Sequence, residues 1–154
     1  MANQVHNIAL GQVVAYYRRV DENDPATAEL YVIAWAAADT DNAIKDADTV
    51  AAIEALASTA EATNSGYARK VLTDADLVAF APDDTNDRVD LDIPDQTWTA
   101  VAAGSNWTDL GIAYGLNGGA DSAKVPLTWH DFAVTPSGTD IVAQVAAAGF
   151  FRAS

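Results

Sequence analysis

Glu29-Leu30-Tyr31-Val32-Ile33-Ala34-Trp35-Ala36-Ala37 contains no proline, no glycine and one charge, and Leu30, Val32 and Ala34 alternate in it with Tyr31, Ile33 and Trp35. Successive side chains of a strand point to opposite faces, so both faces of this stretch are apolar. It predicts a strand covered on both sides, or one whose second face meets a partner. A chain built around such a strand must supply a layer for each face.

Upstream, residues 8–20 read as another strand, because Val13, Val14, Tyr16 and Tyr17 are β-branched and aromatic. The acidic turn Asp21-Glu22-Asn23-Asp24-Pro25 closes it. Downstream, the period changes over residues 46–61, where Val50, Ile53, Leu56 and Ala57 recur at helical spacing. Asp48 or Thr49 is the expected cap, and Asn64-Ser65-Gly66 the expected stop. Residues 67–72 return to extended character.

The rest of the chain reads as short strands separated by turn signals. Arg88-Val89-Asp90-Leu91-Asp92-Ile93 alternates, with Val89, Leu91 and Ile93 inward and the carboxylates outward. Residues 96–102, 110–116, 125–133 and 140–150 continue the pattern, divided by Gly104-Ser105-Asn106, Asn117-Gly118-Gly119 and Pro136-Ser137-Gly138. The expected fold is mainly β: an antiparallel β-sandwich or open barrel, with one helix over about residues 46–61 packed at an end or edge. Residues 1–7 form an N-terminal arm with no strong local structure, and residues 8–154 form a single β-rich domain.

At 154 residues the chain is long enough to bury a core without a metal or disulfide, and it contains no cysteine. Eight basic residues against 22 acidic ones give a formal charge of −14. Phosphate backbones and anionic lipid repel such a molecule, so neither nucleic acid nor membrane is an expected partner. The first residues show no positive region followed by an apolar run, and a protein made in the cytoplasm that stays soluble is the expectation.

Catalytic constellations are not visible. The two histidines are His6, in the arm, and His130, in the strand-like run Thr128-Trp129-His130-Asp131-Phe132, where an imidazole is expected to hydrogen-bond a neighbour. No nucleophile elbow, phosphate loop or dinucleotide fingerprint appears, and an enzyme is not expected. Calcium at Asp83, Asp84 and Asp87 is the one cofactor the carboxylates suggest, but the spacing lacks the glycine and glutamate of an EF-hand. A solvated turn is the preferred reading. Asn106-Trp107-Thr108 matches a glycosylation sequon and is read as a turn with an aromatic anchor. The four tryptophans, Trp35, Trp98, Trp107 and Trp129, are expected in the core, with any exposed one a candidate contact.

Asp83-Asp84-Thr85-Asn86-Asp87-Arg88-Val89-Asp90, followed by Gln96-Thr97-Trp98-Thr99-Ala100, Gly111-Ile112-Ala113-Tyr114 and Pro126-Leu127-Thr128-Trp129-His130-Asp131-Phe132, resembles small structural proteins of tailed bacteriophages. The similarity is best over residues 83–132 and extends loosely to the Met1-Ala2-Asn3 start and Gly66-Tyr67; residues 46–61 and 143–148 have no counterpart in it. The resemblance implies a virion component made in the host cytoplasm. The preferred form is a capsid decoration (cement) protein on the surface of the assembled head, stabilising it as a homo-oligomer, with a trimer expected and the major capsid protein as partner. The alternative is a tail, fibre or receptor-binding protein. Candidate protein contacts are Val5 and His6 in the arm, the aromatics Trp35 and Trp107, and Phe150 and Phe151 in the apolar C-terminal run, which either pairs as a last strand or packs at a subunit junction.

Overall fold

The computed structural model describes residues 2–154; Met1, the first residue of the expected arm, lies outside them. The chain opens with strand β1 (Gln4–Val5), passes through a 3-10 turn at Asn7–Ala9 and enters helix α1 (Val13–Asp21). The expected strand over residues 8–20 is therefore a correction. Val13, Tyr17 and Val20 recur at i, i+4 and i+7 and are the residues α1 buries, while Arg18 and Arg19 occupy its last turn. Here the helical period outweighs the strand preference of the individual valines and tyrosines.

Strand β2 (Ala28–Ala37) follows, and then two short helices, α2 (Asp41–Asp46) and α3 (Val50–Glu54). The helix expected over residues 46–61 is thus also corrected: only five of its residues are helical as one element. Thr49 caps α3, its hydroxyl accepting from the Ala52 N–H at 3.0 Å, but an N-cap is itself extended, so the capping separates α3 from α2. The segment after Glu54 winds down through turn bonds, Leu56 N–H to Ile53 and Thr59 N–H to Leu56, and leads into β3 (Ala60–Glu61) and β4 (Lys70–Leu72).

The remaining strands are β5 (Val89–Leu91), β6 (Gln96–Trp98), β7 (Trp107–Leu116), β8 (Val125–Val134), β9 (Ile141–Ala143) and β10 (Phe151–Ala153). One six-stranded sheet runs β1-β8-β7-β2-β3, with β4 also on β2. β5 pairs with β10 and β6 with β9 as two small ribbons. Every pairing is antiparallel. The mainly β, antiparallel expectation holds, in an open layered arrangement.

β2 shows why. Leu30, Val32 and Ala34 face a core shared with Val13, Tyr17 and Val20 of α1 and with Leu91, Ile93, Trp98 and Ile141 of the ribbons. Tyr31, Ile33 and Trp35 face a second core with Ile44, Val50 and Ile53 of α2 and α3 and with Trp129. Both faces of the strand are covered by this chain. The short helices accordingly lie on a face of the main sheet rather than at its end or edge. Trp35 and Trp129 sit with ring centroids 5.2 Å apart over Gly111, where a Cβ would come within 3.0 Å of Trp35 Nε1 and 3.4 Å of the Trp129 ring. The missing side chain on β7 is what lets the two indoles lie against the sheet.

Arg69, beside β4, fastens the helical layer to the sheet edge. Its guanidinium pairs with Glu54 at 2.6 Å, Glu61 at 2.6 Å and Asp121 at 2.7 Å, and Asp121 also takes Lys124 at 2.7 Å. Removing the cation leaves three carboxylates together. A fully buried pair broken in this way costs roughly 3–5 kcal/mol, but the Arg69 side chain is 21% exposed, so Arg69→Met is expected to cost about 2 kcal/mol after solvent screening. A denaturant midpoint that does not move would show the cluster to be energetically idle.

Candidate functional site

The outer edge of β8 borders a concavity. β1 covers that edge only at Thr128 and Trp129, through the registers Val5 with Thr128 and Gln4 with Trp129. One residue further, the Asn3 side chain accepts the Asp131 N–H at 2.8 Å. Beyond this point β8 runs on to Val134 paired with β7 on its inner side and, among the described residues, with no strand on its outer edge. Facing it is the segment joining β9 to β10, held by the Val145 N–H on Asp95 at 2.8 Å and turned at Gly149. Gly149 has φ +76°, and a Cβ there would lie 2.1 Å from the Leu91 carbonyl oxygen, so only glycine fits.

Between them lies a pocket of about 290 Å³. Val32, Leu110 and Ile112 of the main sheet form its floor, and Ile93, Phe132 and Phe150 its walls. Five polar residues line it: Asn3, Asp131 and Gln144 are exposed at its rim, and Gln96 and His130 are enclosed. His130 Nε2 is 2.9 Å from Thr128 Oγ1, and the ring meets Phe150 edge-on at 6.4 Å. Gln96, 5% exposed, donates from Nε2 to the Pro94 carbonyl at 2.5 Å. Burial pushes the His130 imidazole below its ordinary pKa, because it disfavours the charged ring.

The six residues expected to make contacts are placed differently from one another. His6 is completely buried: its N–H bonds the Leu127 carbonyl at 3.0 Å and its ring lies edge-on to Trp129 at 6.1 Å. Burial lowers its pKa to about 4, and the carbonyls of Ile44 and Ala47 nearby only partly oppose this. Neither ring nitrogen attains a hydrogen-bonding geometry. Trp35 and Trp107 are 1% exposed, so with His6 they have no surface to offer a partner in this conformation. Val5, Phe150 and Phe151 are half-buried, and of these Phe150 lines the pocket. All four tryptophans are core residues, at 0–2% exposure. Trp107 starts β7 and donates Nε1–H to Asn64 Oδ1 at 3.0 Å, which makes it the anchor the sequence suggested.

The carboxylates of residues 83–90 form a braced, exposed turn. Asp83 and Arg88 exchange backbone bonds, Asp83 N–H to Arg88 at 2.8 Å and the reverse at 3.3 Å. The Asn86 amide, then the backbone N–H groups of Asn86 and Thr85 and the Arg88 charge, hold the Asp83 carboxyl below the usual range. Arg152 on β10 does the same for Asp90, at 2.5 Å. These oxygens are therefore engaged with protein donors, and Asp84 and Asp87 point outward. Among the described residues no group of three or more His, Asp or Glu side chains is arranged to hold a metal ion, and no helix is long and apolar enough to cross a membrane.

No family model, curated protein or solved structure matches this chain. Its chemistry has to be taken from its own residues. Sequence reasoning missed the pocket because its lining comes from seven separate stretches of chain; the available signal was a polar side chain close to a buried tryptophan in each of two strands, Gln96 near Trp98 in β6 and His130 beside Trp129 in β8. It also missed Asp109, which the register opposite Trp35 and Asp131 carries into the interior at 1% exposure, with neither carboxylate oxygen hydrogen-bonded. A single carboxylate between Trp107 and Leu110 is the trace of it in the sequence.

Proposed function

We propose that this protein is a structural component of a virus particle: a decoration protein that seats as an oligomer on the major capsid protein of an assembled phage head. The observation that carries the reading is the turn from Asp83 to Arg88. It opens the stretch of chain that resembles phage structural proteins, it is exposed, and its internal bonds fix its shape before any partner arrives. A pre-ordered contact loses little conformational entropy on docking. Its charge, in a chain of −14, selects a basic surface and disfavours like-charged partners. Repetition on a lattice then turns a modest interface into firm attachment.

A tail or receptor-binding protein that recognises surface sugars would be supported by an exposed tryptophan on which a sugar ring can stack. With every tryptophan at 2% exposure or less, that support is gone. The test is to mix the protein with phage heads that lack it and image the product by electron microscopy. Regular added density on the shell is expected, and the double variant D84K/D87K is expected to reduce the number of bound copies about tenfold, the order expected when charge complementarity at a contact is reversed. Bare shells with wild-type protein would sink the decoration reading. Full occupancy by the variant would remove the turn from the interface while leaving the reading standing.

A further inference from the structure

We infer that the pocket between β8 and the β9–β10 segment is a binding site for a neutral one- or two-ring aromatic small molecule carrying a single hydrogen-bonding group. Three features on this side of the molecule converge on that class. The first is size. An apolar cavity of about 150 Å³ accepts benzene, so the 290 Å³ here accommodates a bicycle such as indole. The second is the lining. Val32, Ile93, Leu110, Ile112 and Phe150 present apolar walls to which water is poorly held, and the Phe150 ring offers an aromatic face. The third is the placement of polar atoms. His130 and Gln96 are the two largely enclosed polar side chains at the pocket, and each is oriented by a partner of its own, Thr128 for His130 and Pro94 for Gln96. Enclosed polar groups that neighbouring atoms hold in place are the usual means of fixing a ligand's orientation in an otherwise apolar site.

Charge narrows the class further. Asp95 fastens the wall at Val145, in a protein whose net charge is −14, so an anionic ligand of the same shape is opposed. The site is open on the side where β8 lacks a neighbouring strand, which gives a small molecule an entry path. None of this depends on the virion reading, and the pocket is a separate region from the acidic turn.

The inference is tested by titrating the full chain with indole and, separately, with benzoate, following backbone amide signals by two-dimensional NMR. Saturable shifts with indole at Val32, Ile112, His130 and Phe150 are expected, with benzoate binding at least tenfold more weakly. Two variants block the space: Ala143→Phe fills it from the wall, and Val145→Trp, at the half-buried rim where Val145 touches only the margin of the core, narrows the mouth. Each is expected to weaken indole at least tenfold. The inference is overturned if wild-type protein shows no saturable shift up to the solubility of indole, if the shifts map elsewhere, or if Val145→Trp binds as wild type does. Should Ala143→Phe fail to fold, the rim variant and the wild-type map decide the matter.

Discussion

Replacing Trp107 with alanine is expected to destabilise the fold by about 4 kcal/mol, within the range of roughly 3–5 kcal/mol for emptying a tryptophan site in a core. Trp107 is 1% exposed and stands edge-on to both Trp98, at 5.2 Å, and Tyr67, at 5.3 Å. Its loss opens a cavity at the junction of the main sheet with the β6–β9 ribbon. It also strips Asn64 Oδ1 of its donor, while the Asn64 amide stays bonded to the carbonyls of Ala102 and Ser105. A buried acceptor left without a partner adds about 1–3 kcal/mol of cost if water cannot reach it. For a chain of this length the change lowers the melting temperature by about 8–16 °C. Trp107→Phe keeps most of the ring contact and loses the bond, so about half the effect is expected. Calorimetry on both variants checks this, and a drop of under 4 °C for the alanine variant would mean that the cluster relaxes to fill the gap.

The second large effect is acid lability. His6 has a folded pKa of about 4 against an ordinary value of 6.5, because burial disfavours the charged ring. Between these values the unfolded chain binds a proton that the folded chain does not. The stabilisation is therefore complete above about pH 6.5 and is lost as the pH falls toward 4, at about 1.4 kcal/mol per pH unit, for a total of about 3 kcal/mol. His130 is shifted in the same direction by the same cause and adds to the loss. The carboxylates held low in the fold, Asp83, Asp90 and Asp121, contribute with the same sign only once the pH reaches the ordinary carboxylate range. Denaturant midpoints of wild type and His6→Phe at pH 7.5, 6, 5 and 4.5 isolate the histidine, since the self-repulsion of the acidic surface changes equally in both. The variant is expected to gain on wild type steadily below pH 6.5. Parallel curves would show that the folded chain protonates His6 without difficulty.

The long strands were legible because their signal is repeated. β2, β7 and β8 each run for ten residues, and in β2 the two alternating apolar sets could be assigned to two layers before any layer was known. Short elements carried too few repeats. In α1 the three buried positions Val13, Tyr17 and Val20 compete with Val14 and Tyr16, whose side chains are half-buried and blur the period. Over residues 46–61, alanine fits both a helix interior and a loop, so the pattern did not reveal that the helix stops at Glu54. The burial of His6 was not legible at all. It follows from the pairing of Gln4 and Val5 with residues more than a hundred positions away, which no local pattern encodes. The acidic turn, by contrast, was written in its own residues, since Asp83, Asn86 and Arg88 bond chiefly to one another.

The central pairing of β2 with β7 also governs how the molecule comes into being. Tyr31 and Leu116, which meet across it, are 85 residues apart in the chain. Closing so large a loop comes before the reward of the contacts it makes, and sheets of this kind form in milliseconds to seconds rather than microseconds. During synthesis, at about 5–20 residues per second, the edge of β2 that β7 will pair with waits several seconds for its neighbour, while the helices that cover its faces are already made. For that interval the open edge of the strand that organises the finished protein is a template on which another chain could pair, and a formal charge of −14 opposes such an encounter.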